Sequence, residues 1–459
     1  MRLQDQETSG TRALQPRTIV IVGFVVLVAY AIGLMFSAAT YDTLAAMLMG
    51  PALLFISLPA LSRQANRERN RRVFWLLLIA LMVKLALGAT GQLYVISQAY
   101  GGVADANFYY SEGWRLAQHF RDGQFTTGFE SIIGTNFIHI VTGVVLSVIG
   151  STKTGAFMFF SWLGFWGLFL FYRAFVIAVP EGRSRTYAHL VFFLPSMVFW
   201  PSAIGKDAWM VLGLGIVAFG SARVLTGHLW RGLTFAGIGF LMTLMVRPHV
   251  GALAGVGLAA AYLVRPTRRE LRELAPIVKT VSFLAVAAVA LILISRTTAF
   301  LEESGIENPT DVTSSLSQVY SNTAIGGSSF TPSVVTSVKR APGAALTVLF
   351  RPILPDATNT QEYLAAIEGT LMVLFTLARF RWIIAAVRSF RRQSFVVLAL
   401  TYTGLFILAF SSFANFGLLI RERSSVLPFF LVLLSVPPTR WLLTRGEETA
   451  SNSETSSGV

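Results

Sequence analysis

Apolar runs long enough to cross a bilayer recur along this chain, and the loops between them alternate between arginine-rich and nearly arginine-free. A hydrocarbon core of about 30 Å takes roughly 20 apolar residues per helix. Residues 18–37, 73–97 and 276–295 each meet that length almost without charge. The pattern constrains the chain to a helical bundle in a membrane, and function has to be sought among the few polar residues that lipid tolerates.

Composition agrees. With 54% hydrophobic and 13% charged residues, the 459 residues are not one or two soluble domains of ordinary make-up. The net charge of +14 comes from short basic clusters between apolar spans, which is how cytoplasmic loops are marked, and not from a basic domain. No nucleic-acid partner is expected. The absence of cysteine excludes disulfides, thiolate metal sites and cysteine nucleophiles. Residues 1–17 are polar and the first apolar run is longer than a signal-peptide core, so this end reads as a cytoplasmic tail ahead of a first anchor. Residues 446–459, rich in Ser, Glu and Thr, read as a disordered cytoplasmic tail.

Placing the amino terminus in the cytoplasm puts 25 of the 37 lysines and arginines on the inner side, as the positive-inside rule requires. The resulting fold expectation is all-α: a polytopic bundle of about 12 transmembrane helices over residues 18–445, with both termini inside. Its spans fall near 18–37, 44–61, 73–97, 154–176, 187–204, 208–225, 232–246, 250–264, 276–295, 362–377, 394–413 and 426–441. Residues 136–150 are apolar but short for a crossing, and read as an interfacial or re-entrant helix on the outer face. Two extracytoplasmic loops, 98–135 and 296–361, exceed ordinary connectors, and loops of that length are usually functional or disordered.

This topology sends most of the conspicuous ionisable residues outside the basic loops to the outer membrane face. Asp105 lies in Ala104-Asp105-Ala106-Asn107-Phe108-Tyr109-Tyr110, while Lys206 and Asp207 stand where one span ends and the next begins. Arg247 and His249 flank Pro248 in an outer turn. Arg351 precedes Pro352, Glu362 and Glu368 follow it on the next span, and Arg421-Glu422-Arg423 opens the last. Charges at this depth are costly, so a functional role is their default reading, while snorkelling of Arg and Lys to headgroups is the ordinary alternative. Lys84 sits midway along a span, where it needs a partner or water. Glu422 reads as a neutraliser of its two neighbours. Pro51, Pro195, Pro201, Pro248, Pro352 and Pro428 signal kinked or broken helices, with simple kinking the preferred account of Pro51.

The aspartate followed by Tyr109 and Tyr110 in the first large outer loop resembles a known family. So do the short amphipathic segment before the next span and the Pro195-Ser196 then Lys206-Asp207 pattern. Together, over roughly residues 73–225, they look like GT-C-fold membrane glycosyltransferases, similar to protein mannosyltransferases and aminoarabinose transferases. The resemblance implies an enzyme of the bacterial inner membrane. It would transfer a sugar from a polyprenyl-phosphate-linked donor to a glycan, lipid or protein acceptor outside the cytoplasm, in cell-envelope assembly. In that family an acid of the first outer loop activates the acceptor or helps bind a metal, and Asp105 is the matching position. No second acid adjoins it, Glu112 being the nearest, so the resemblance leaves open whether a divalent cation, magnesium or manganese, takes part.

The residues fit such chemistry on their own terms. Asp105 is a candidate base for the incoming hydroxyl. Lys206, Arg247 and Arg351 are candidates to hold the donor phosphate, with Asp207, His249, Glu368, Arg421 and Arg423 in support. Tyr109 and Tyr110 offer faces for sugar stacking, or serve an interfacial aromatic belt. Three other readings stay in play, the least specific being a non-catalytic assembly subunit of an envelope complex. One is a surface-polysaccharide polymerase or ligase using a lipid-diphosphate-linked oligosaccharide. Another is a transporter or lipid flippase, for which a polar site near the bilayer midplane is expected and only Lys84 is plainly that deep.

Overall fold

The computed structural model describes residues 40–99, 104–265, 280, 323, 329–332, 334, 338–357 and 360–438. Every regular element among them is helical, and the one β-type contact is the antiparallel bridge between Ser329 and Asn415. Among the described residues four helices are long and apolar enough to cross a membrane: Tyr41–Arg67, Arg71–Gln98, Lys153–Ala178 and Lys206–Leu225. A fifth candidate is the pair Glu362–Ala378 and Phe380–Arg388, bent by 61°. Shorter apolar helices cover Thr135–Ile149, Leu229–Leu244, Pro248–Val264, Ala341–Phe350 and Ser394–Phe410. The expected spans at 18–37 and 276–295, both terminal tails and most of the loop 296–361 lie outside the described residues.

Two of the expected spans are broken, as Pro195 and Pro428 foreshadow. Residues 187–204 do not form one helix. Ser184–Phe193 stops at Leu194, which turns to extended backbone (φ −62°, ψ 127°), and Pro195–Phe199 restarts as a separate short helix. Proline lacks an N–H and disfavours helical backbone in the residue before it, and the chain breaks there. The freed amide is satisfied by Glu368, which accepts from both the N–H and the hydroxyl of Ser196 at 2.9 Å. The final expected span, 426–441, holds a buried helix of only seven residues, Leu427–Leu433, before a turn. By contrast Pro51 leaves Tyr41–Arg67 uninterrupted.

The described chain divides into two units. The first comprises the residues up to Gly128 with His139–Phe165 and Ser202–Gly205; the second comprises Phe129–Ile138, Trp166–Pro201 and the residues from Lys206 on.

In the first unit, Asp42 opens the Tyr41–Arg67 helix and caps another. Its carboxylate accepts from the Thr152 hydroxyl (2.8 Å), the Thr154 N–H (3.0 Å) and the Thr154 hydroxyl (2.5 Å), where Lys153–Ala178 starts. Tyr41 donates to the carbonyl of Ile149. The expected outer loop 98–135 contains a 17-residue helix, Asp105–Arg121. Gly113 and Gly143 let it pack tightly: a Cβ on Gly113 would lie 2.6 Å from the Thr142 methyl, and one on Gly143 2.9 Å from Leu116. Arg121 donates to the carbonyls of Leu146 and Ser147, placing a cation where the Thr135–Ile149 helix leaves its last carbonyls unpaired.

The second unit is built on small residues and aromatic rings. A Cβ on Gly220 would fall 2.3 Å from the Ala236 nitrogen, and one on Gly215 2.3 Å from the Gly167 oxygen, so these helices pack backbone to backbone. Around them Phe175 stacks on Tyr187 at 4.4 Å, and Tyr402 packs on Phe429 at the same distance. The buried Tyr187 hydroxyl donates to the carbonyl of Pro428.

Candidate functional site

Three stretches far apart in sequence bring charge together in the second unit. Lys206 and Asp207 open the Lys206–Leu225 helix, where the helix dipole favours the aspartate. Arg247 caps Pro248–Val264, and Arg421-Glu422-Arg423 closes the helix Phe416–Arg423. Arg247 is the hinge of the cluster. One of its terminal nitrogens donates to Asp207 at 3.1 Å and the other to Glu422 at 2.5 Å. Arg421 bonds the remaining oxygen of Asp207 through its Nε. Asp207, Arg247 and Glu422 are buried, while Lys206, His249 and Arg421 are half-buried.

The cluster extends further by charge. Lys206 and Arg247 both act electrostatically on His249 and on Glu422, and Glu422 and Arg247 act on the Tyr402 hydroxyl. Burial pushes the Glu422 carboxyl above its usual range, against the pull of Arg247. Glu422 Oε2 and the Tyr402 hydroxyl are buried without a hydrogen-bond partner among the described residues. Buried polar atoms of this kind call for water or a bound group. Among the described residues, the cations Lys206, Arg247 and Arg421 meet the carboxylates Asp207 and Glu422 here. The two carboxylates share a guanidinium, so the donor set suits an anion and not a divalent cation. Among the described residues no three His, Asp or Glu side chains gather as metal ligands.

The structure gives the other sequence candidates different work. Arg351 forms a two-pronged pair with Asp356 (2.9 and 2.7 Å) and lies over the rings of Phe330 and Phe416, which stack on each other at 4.1 Å. Arg423 donates to the carbonyls of Val348 and Arg351, and Glu368 is engaged by Ser196. These three hold the backbone together. A separate hollow of about 340 Å³ is lined by Pro332, Lys339, Arg340 and Gly343.

In the first unit, Asp105 is the exposed first residue of its helix, a position the helix dipole favours for an acid. Tyr109 is buried, with its ring 5.3 Å from that of His139, and Phe108 meets the same imidazole at 5.0 Å. Tyr110 is half-buried, and burial together with Asp42 raises its hydroxyl pKa. Glu112 is taken by Arg115, whose hydrogen bond lowers the carboxyl. Lys84 is buried at the start of a π-helical turn, Lys84–Gly88, and its carbonyl accepts from Ser161. Such turns inside α-helices are frequent at functional sites.

Sequence reasoning singled out Lys206, Asp207, Arg247 and Arg421 and passed over Tyr402 and Asp42. Glu422 reads in the sequence as a neutraliser of its neighbours; Arg421 does act on it, and its close ion pair is with Arg247. Tyr402 carries no signal within an apolar run. Asp42 follows a tyrosine at the head of a span, and only the acid-then-apolar pattern of a helix start marks it.

No protein-family model matches the chain, and no curated protein and no solved structure matches it.

Proposed function

We propose that this chain is a membrane glycosyltransferase that moves a sugar from a polyprenyl-phosphate-linked donor to an acceptor hydroxyl at the extracytoplasmic face. The reading rests on one observation above the others: Arg247 bridges buried Asp207 and Glu422, with Arg421 bonded to Asp207 and Lys206 acting on Glu422, so that three cations from distant stretches meet. In the reaction the acceptor oxygen forms a bond to the anomeric carbon, and the bond from that carbon to the phosphate oxygen breaks. The phosphate leaves on its lipid with an added negative charge. Lys206 and Arg421 neutralise that charge, and Asp207 and Glu422 hold Arg247 in the orientation that serves it. The base for the acceptor hydroxyl is a separate part of the proposal: the resemblance nominates Asp105, a residue of the first unit, and its role is tested on its own. Arg351 plays a structural part, because its charge is matched by Asp356. The two carboxylates bridged by Arg247 do not fit a metal, and no step runs through one.

The test is release of polyprenyl phosphate from a polyprenyl-phosphate sugar by purified full-length protein in nanodiscs. Arg421→Gln is expected to slow turnover by about 10²-fold, the usual cost of removing one donor to a developing oxyanion. Turnover of a lipid-diphosphate oligosaccharide, with none of the monophosphate donor, would assign the chain to polymerases or ligases. Lys84, buried at its π-helical turn, favours a carrier as the second reading. Transport that survives Asp105→Asn but is lost in Lys84→Ala would establish it.

A further inference from the structure

The exposed face of the bent helix pair carries an inference that does not depend on glycosyl transfer. Along Thr360–Ala378 the exposed apolar residues Leu364, Ile367, Leu371, Leu374 and Leu377 form one stripe at helical spacing. The chain bends by 61° and continues as Phe380–Arg388. There Phe380, Ile384 and Val387 are exposed. At about 100° per residue these three fall within one narrow arc of the helix. Arg381 and Arg388 border that arc on one side, and Arg391 and Arg392 follow in the next turn, all four exposed. The opposite side is fixed to the second unit. Ala386 is fully buried, Trp382 lies beneath Arg379 (4.3 Å) and Arg183 (5.6 Å), and Arg379 donates to the carbonyl of Leu434.

We propose that Phe380–Arg388 lies in the plane of the membrane interface, with Phe380, Ile384 and Val387 among the acyl chains and Arg381, Arg388, Arg391 and Arg392 on the phosphates of anionic lipids. Two features select this occupant. The apolar arc continues a stripe already suited to lipid, so the same solvent covers both. The polar border of the arc is arginine alone, which complements acidic headgroups and forks onto their phosphates. The bend at Arg379 turns the stripe from the direction of a span towards the surface plane.

The test uses the full chain, which contains no cysteine. Ile384→Cys and Arg388→Cys are each labelled with bimane, in vesicles of phosphatidylcholine with or without phosphatidylglycerol. The expected result is quenching of the Ile384→Cys label by acyl-brominated lipid and of the Arg388→Cys label by aqueous iodide. Retention of phosphatidylglycerol through purification should fall by roughly fivefold for each of the four arginines changed to Gln. Iodide access to the Ile384→Cys label would overturn the proposal. So would equal phosphatidylglycerol retention by the fourfold Gln variant, or Ile384→Cys cross-linking to a second copy without acyl quenching.

Discussion

Arg247 and Glu422, one at the head of a helix and the other near the end of a different one, meet at 2.5 Å in the buried part of the second unit. Removing one partner of a buried ion pair leaves the other uncompensated, at about 3–5 kcal/mol. Glu422→Ala is therefore expected to lower the thermal unfolding temperature of the detergent-solubilised protein markedly. Arg247→Met with Glu422→Leu should recover much of the loss, since Asp207 keeps Arg421 as a partner.

A second prediction concerns acid. The Arg351 hydrogen bond, aided by the Ile353 N–H, holds Asp356 below the usual carboxylate range. A folded-state pKa below the unfolded one gives stability that is present above the unfolded value, about 4, and is lost as pH falls through the folded one. Unfolding measured between neutral pH and about pH 3 should show this loss, and Asp356→Asn should remove that component of the pH dependence.

Asp42 supplies three hydrogen bonds to the start of Lys153–Ala178. Asp42→Ala should cost about 1–2 kcal/mol, the upper part of the range for lost helix caps. Asp42→Asn should cost less, because an amide oxygen still accepts. Chemical denaturation in mixed micelles distinguishes the two.

Two glycines in neighbouring helices make a matched comparison. Gly220→Ala drives a methyl against the Ala236 backbone and is expected to destabilise by about 1–3 kcal/mol, whereas Gly237 has open space at the corresponding position and Gly237→Ala should be neutral or slightly stabilising. Thermal unfolding of the two variants side by side checks the difference.

For the proposed base, Asp105→Asn should reduce polyprenyl phosphate release by about 10²–10⁴-fold. Stability should fall by no more than about 1 kcal/mol, the usual worth of an acid at the start of a helix. Unchanged release would remove Asp105 from the mechanism.

Helical class and membrane-compatible lengths were legible because a bilayer demands long apolar runs, and the Pro195 break was foreshadowed by the proline itself. The gathering of Asp207, Arg247 and Arg421 was legible too, since charges delivered to the ends of apolar helices have few other places to go. Partner choice was not. Arg351 and Arg247 look alike in sequence, each an arginine followed by proline, yet one meets an aspartate five residues on and the other two carboxylates from distant helices. Glu422 was masked by its flanking arginines, and Tyr402 by the apolar run around it. The short Leu427–Leu433 helix escaped notice because a buried apolar segment and a lipid-facing one have the same composition.

The bond from Glu368 to Ser196 has a mechanical consequence. Rotating the Thr360–Ala378 helix enough to withdraw that carboxylate would strand the Ser196 amide in oily surroundings. The discontinuity at Pro195 and the long helix therefore travel as one piece, and a push on either is felt by the other.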